Sequence, residues 1–144
     1  GCDLSLRIPL IAQLDPAAAR DLWSRYTKHY WLERWLVKDL AEWPGGRTRF
    51  EDMDSGPIFL GVGLAASSLG VGAAIMAGDM ARLATLLGYM GRIRGLLADA
   101  APQGSDEATV WIGGVIPTQR GYVTGFLFGD AALFLSLTWT DWGL

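Results

Sequence analysis

The sequence predicts an all-α chain built from antiparallel helical hairpins, and three observations carry that expectation. Apolar residues recur at helical spacing after Asp15-Pro16. A run from Ser55 to Gly78 contains no charged residue and is crowded with Gly and Ala. A single apolar stripe (Leu83, Leu86, Leu87, Met90, Ile93, Leu97) follows immediately after it.

The opening apolar stretch, residues 4–14, is broken by Pro9 and reads as a short helix or an extended arm. Asp15-Pro16 then marks a helix start. A carboxylate at the N-cap accepts from free first-turn amides, and a proline at the first helical position already has the right φ. Leu22, Trp23, Tyr26 and Tyr30 repeat every three or four residues, and Asp21 stands one turn before Arg25, the favourable order for an ion pair. These signals predict a helix from about Pro16 to Tyr30. The pattern continues through residues 31–43 as an expected second short helix, which Pro44-Gly45-Gly46 stops. Residues 47–57 carry Asp, Ser, Gly, Pro and alternating charge, and read as an ordered loop.

The uncharged run predicts a helix at about 58–77. Its small residues (Gly61, Gly63, Ala65, Ala66, Ser67, Gly70, Ala74, Gly78) permit close approach of neighbouring helices, with Leu60, Leu64, Val71 and Ile75 as a larger face. Gly78-Asp79 is a tight turn into a helix at about 80–100, with Asp79 as its cap. A polar connector follows at 101–107. Residues 109–118 stand between strand and loop, and 122–139 read as a further buried helix interrupted by Asp130.

The uncharged run also has the length to cross a bilayer, which takes about 20 apolar residues. That reading makes the chain a small helical membrane protein with spans near 57–78 and 121–140. Its composition argues the other way. Only eight of the 24 residues are Leu, Ile, Phe or Val, while six are Gly and three are Ser. At about −0.3 to −0.6 kcal/mol each, the eight supply roughly −2.4 to −4.8 kcal/mol before Gly and Ser are counted. Insertion would be marginal, so a helix enclosed by other helices is the favoured reading.

Composition excludes several function classes. At 144 residues the chain is expected to form a single helical domain over 1–144. It is 51% hydrophobic and 19% charged, with a mean hydropathy of +0.24, which argues against disorder. A formal net charge of −3 with scattered basic residues argues against a nucleic-acid partner. One cysteine, Cys2, and one histidine, His29, exclude an intrachain disulfide and a site built from several imidazoles or thiolates, so no metal or cofactor is expected. The Gly1-Cys2 start fits either a cleaved lipoprotein precursor or a break inside a longer protein. High Ala, Gly and Arg with no Asn suggest a bacterial coding bias, with periplasmic or membrane-associated placement ahead of cytoplasmic.

Chemistry points to the acidic loop. Glu51, Asp52 and Asp54 lie within four residues, and their mutual repulsion can hold one of them protonated near neutral pH in an enclosed site. Asp52 and Asp54 are the candidate acid–base pair, although Asp54 before a helix can equally act as a cap. Tyr30, Glu42 and Trp43 are the candidate substrate-binding residues, an aromatic and carboxylate rim suited to a small molecule or sugar.

The stretch from Glu42 to Asp79, with EWPGG, then DMDSGP, then a Gly/Ala-rich helix ending in Gly-Asp, resembles a segment of bacterial (α/α)-toroid proteins. These are similar to six-hairpin glycosidases and to the linalool dehydratase-isomerase group. The resemblance implies an (α/α) barrel with small-residue inner helices and a site in the loops at one mouth, where Asp52 and Asp54 would lie. It also implies that this chain is the C-terminal part of a larger toroid, whose missing remainder, or a second copy of the chain, would cover an exposed apolar edge. A purely structural helical module is the third reading.

Overall fold

The computed structural model describes residues 1–34, 37–47, 58–100, 109–112, 116–119 and 127–138. The chain is mostly helical, with five helices among the described residues: α1 (Cys2–Leu14), α2 (Pro16–Tyr30), α3 (Leu64–Ala77), α4 (Met80–Ala100) and α5 (Leu127–Thr138). Three two-stranded antiparallel sheets accompany them, so the architecture is not all-α. Their strands are β1 (Trp31–Arg34) with β2 (Val37–Leu40), β3 (Ile58–Phe59) with β4 (Val62–Gly63), and β5 (Thr109–Ile112) with β6 (Ile116–Gln119).

The opening residues resolve as helix, not arm, with Pro9 inside it and buried. The start of α2 follows its sequence signals: Asp15 Oδ1 accepts from the amides of Ala17 and Ala18 at 2.9 and 3.0 Å, and Arg25 pairs with Asp21 at 2.7 Å.

The expected second helix over 31–43 is instead the β1–β2 hairpin. Trp31 leaves the helix with φ −73° and ψ 116°, and the chain turns back so that Ala41 N donates to the carbonyl of Tyr30 at 2.8 Å. The physical reason is cross-strand pairing. Glu33 lies opposite Lys38 and pairs with it at 2.6 Å, while Leu32, Val37 and Leu40 turn inward. The hairpin sends them to two places: Leu32 and Val37 share one face and pack with Ala41 and Val62, while Leu40 on the other face joins the main core.

The small-residue helix is shorter than expected. Residues 58–63 form the β3–β4 hairpin, whose turn residues Leu60 and Gly61 both have positive φ, 53° and 87°. α3 then runs 14 residues, and every residue from Leu64 to Ala74 is buried. It packs against α1, α2, α4 and α5. Gly78 ends it in the left-handed region at φ 76°, and Asp79 caps α4 by accepting from Arg82 N at 3.1 Å. Leu83, Leu86 and Met90 face the core as expected, whereas Leu87 is exposed; the side chains of Ile93, Leu97 and Asp130 lie outside the described set, as do residues 101–107.

Among the described residues no helix is long and apolar enough to cross a membrane. α3, at 14 residues, falls short of the span expected near 57–78; the span expected near 121–140 lies partly outside the described residues, which within it form the 12-residue α5.

The tightest approach sets a test. A Cβ at Gly70 would fall inside the van der Waals surface of Leu40 Cδ1, and one at Gly72 would sit 3.1–3.2 Å from Ser136 on α5. Leu40 is wholly buried, so shifting its Cδ1 aside would disturb its other core contacts. Gly70→Ala should therefore destabilise the fold by about 1–3 kcal/mol in urea denaturation, although alanine is the better helix former by about 1 kcal/mol. A neutral or stabilising result would mean that α3 and β2 are packed less closely than this.

Candidate functional site

Of the five candidate residues, Asp52 and Asp54 lie outside the described residues. The other three are brought close together, but they do not form one site. Glu42 is a structural hub. The backbone nitrogen of Gly1 lies 2.6 Å from its carbonyl and 3.0 Å from Oε1, and Cys2 N lies 3.2–3.3 Å from its carboxylate oxygens. Its carboxylate thus receives the free amides that open α1. Gly63, at the start of α3, fits against it: a Cβ there would meet Glu42 Oε2 at 2.8 Å.

Tyr26 and Ser5 extend this hub inward. Tyr26 Oη donates to the carbonyl of Gly1 at 3.1 Å and lies 2.8 Å from Ser5 Oγ, which donates to the carbonyl of Ala66 at 3.0 Å. The Tyr30 ring packs against that of Tyr26, tilted by 47° with centroids 4.9 Å apart. Burial, and then the Glu42 carboxylate, push the Tyr30 hydroxyl above the ordinary phenol range. Tyr30 and Glu42 are therefore neighbours in a framework that ties the first turns of α1 and α3 to the last turn of α2.

Trp43, the next residue, belongs to a different surface. With Pro44, Gly45 and Arg47 it faces Lys28 and His29 from the last turn of α2 across an open cleft of about 380 Å³. Pro44–Gly46 form a single 3₁₀ turn, with Gly45 and Gly46 both at positive φ, and the Gly45 carbonyl accepts from Arg34 at 3.2 Å. The PGG motif, which the sequence presents only as a helix stop, thus forms one wall of this cleft. Lys28 also borders a wider depression of about 640 Å³ beside the α3–α4 turn. There Asp79 is held by Trp23 Nε1 at 3.0 Å and by Arg82, whose guanidinium lies 5.3 Å from the Trp31 ring. Asp79 and Arg82 are tied to one another and to the core.

Sequence reasoning missed the most unusual carboxylate. Asp39, on β2, is fully buried. Its Oδ1 accepts from Leu40 N at 2.6 Å and from Ser67 Oγ on α3 at 2.7 Å. Among the described residues Oδ2 has no hydrogen-bond partner, and neither does the buried hydroxyl of Tyr89 on α4. Burial raises the Asp39 carboxyl to about 7, against the lowering effects of Ser67, Leu40 N and, last, the charge of Arg92. Burial and then Asp39 push Tyr89 up to about 12. Ser67 Oγ also lies 2.9 Å from the Gly63 carbonyl. A protonated Asp39 can thus coexist with a Ser67 that donates to its own helix. The missed signal was alternation: in Val37-Lys38-Asp39-Leu40 the charged Lys38 points out and Asp39 points in, a distinction that a helical reading of this stretch erases.

Among the described residues no group of three His, Cys, Asp or Glu could hold a metal ion. Comparison with protein-family models, curated proteins and solved structures finds no match to this chain.

Asp39 has a measurable consequence. The unfolded chain loses this proton near the ordinary value of 3.8, whereas the folded chain keeps it to about 7. Between those limits the folded state binds more protons, so stability falls as pH rises, by on the order of 4 kcal/mol across the full interval. Denaturant titrations from pH 4.5 to 8 should show this slope. Asp39→Asn keeps the acceptor for Leu40 and Ser67 but carries no charge. It should flatten the slope and be more stable than the parent at pH 8. A parent stability that is flat or rises over this range would show that Asp39 is ionised throughout.

Proposed function

We propose that the chain is part of a helical-toroid enzyme that uses carboxylate acid–base chemistry on a small or carbohydrate-like substrate. Two helical hairpins, α1–α2 and α3–α4, with the small-residue helix enclosed, support the architectural half of this reading. The observation that carries the chemical half is the cleft between the end of α2 and the 3₁₀ turn. It is of small-molecule size, has Trp43 as an aromatic wall, and ends at Arg47. The segment that carries Asp52 and Asp54 begins only a few residues further on. In this reading those carboxylates act as proton donor and acceptor at the cleft, with one kept protonated by the charge of the other. Glu42 and Tyr30 hold the helix ends that shape it.

The outer faces of the helices support a longer assembly. Leu6, Leu10 and Leu14 recur every four residues on α1 and are 36%, 48% and 91% exposed, and on α5 Phe134 and Leu137 are exposed. Such a stripe suits a further helical hairpin of the same toroid or a second copy of the chain.

Two measurements test the proposal. In D₂O, a panel of sugars, glycosides and small alcohols incubated with the protein should include one that exchanges a C–H proton or is cleaved, followed by ¹H NMR. Asp52→Asn and Asp54→Asn should each slow that reaction by about 10²-fold or more with unchanged circular dichroism; full activity in both variants would sink the acid–base reading. Separately, the chain should self-associate in size-exclusion chromatography, and a Leu6→Lys/Leu10→Lys double variant should elute as a monomer. A parent that stays monomeric at high concentration would remove the support drawn from the stripe.

A further inference from the structure

The cleft beside Trp43 has a charge character that the acidic chain as a whole does not. Among the described residues that line it, three side chains, Lys28, His29 and Arg47, are basic or protonatable and none is a carboxylate. Among the described residues the nearby carboxylates are turned to other partners: Glu42 to the start of α1, Glu33 to Lys38 and Asp79 to Arg82; Asp52 and Asp54 serve the reacting end of the substrate in the reading above. Lys28, His29 and Arg47 form no ion pair among the described residues. Three basic or protonatable side chains with no ion pair among the described residues are unexpected on one small concave surface in a chain of net charge −3.

We infer that this cleft binds the phosphate group of a small phosphorylated molecule, whose body lies against Trp43. A lysine ammonium, a guanidinium fork and an imidazole N–H together present donors to several oxygens at once. That suits a dianion with three acceptor oxygens better than a carboxylate with two. The end of α2 opposes this with a partial charge of about −0.5. Two full positive charges, and a third when His29 is protonated, outweigh it. Some of the α2-end carbonyls are already occupied, because Trp31 N bonds to Thr27 O and Ala41 N to Tyr30 O. The inference deepens the reading of this cleft as the substrate site and rests on it. It narrows the substrate class from a neutral sugar or alcohol to its phosphate ester.

The chain's single histidine supplies a clean probe. Its imidazole C–H resonance can be followed by ¹H NMR as inorganic phosphate, and then glucose 6-phosphate, is added at constant ionic strength against a chloride control. A saturable shift with both phosphates, absent with chloride and with glucose, is the expected result. Lys28→Met and Arg47→Met should each weaken binding by about tenfold, with unchanged circular dichroism. A shift no larger than that given by chloride, or one that survives both substitutions together, would overturn the inference. The same titration on Asp52→Asn and Asp54→Asn separates the two proposals. Loss of turnover with phosphate binding retained supports both. Turnover on neutral substrates without phosphate binding overturns the anionic substrate class and leaves the acid–base reading standing.

Discussion

What most of this fold depends on is the small size of most side chains on α3. A helix touched on all sides must give up either girth or close contact with its neighbours. Here it gives up girth, because Ala65, Ala66, Ser67, Ser68, Gly70, Gly72, Ala73 and Ala74 occupy eight consecutive or near-consecutive buried positions. Leu40 reaches over Gly70 and Ser136 over Gly72, so β2 and α5 sit almost on the α3 backbone. The cost is low intrinsic helix propensity at the glycines and little apolar area contributed by α3 itself. The larger neighbours, Ile8, Trp23, Tyr26, Leu40 and Leu86, supply that area instead.

Close packing around a small-residue helix also explains where polar groups collect. Ser67 and Ser68 are buried; Ser68 donates to the Leu64 carbonyl at 2.7 Å, and Ser67 Oγ lies 2.9 Å from the Gly63 carbonyl one turn back. The Ser67 hydroxyl also lies 2.7 Å from Asp39 Oδ1, and burial of Asp39 outweighs the lowering effects of Ser67, Leu40 N and Arg92. A buried polar pair of this kind adds less to stability than to uniqueness of packing. It fixes the register of β2 against α3, because a one-residue slip would turn Asp39 out and Lys38 in.

Glu42 does for the helix ends what α3 does for their flanks. Its backbone and carboxylate receive the opening nitrogens of α1, and Gly63 lets the start of α3 lie against it. Because Glu42 is committed to this junction, Trp43 is left to face the opposite surface. The cleft that Trp43 shares with Lys28, His29 and Arg47 is therefore a by-product of how the helix ends are tied.

Much of the helical framework was legible in the residues themselves, and for local reasons. The Asp15 cap, the Asp21–Arg25 pair, the Gly78-Asp79 turn and the enclosed small-residue helix all depend on interactions within a few positions of chain, or on composition that only one environment suits. Residues 31–43 were not legible in this way. Their local spacing is compatible with a helix, and the hairpin is chosen by contacts with distant partners: Leu40 with Gly70, Asp39 with Ser67, and Ala41 with Val62. For the same reason the sequence by itself marked Glu42 as a binding residue and passed over Asp39. A carboxylate's role depends on what surrounds it, and only the tertiary structure puts the start of α1 beside the first and an apolar core around the second.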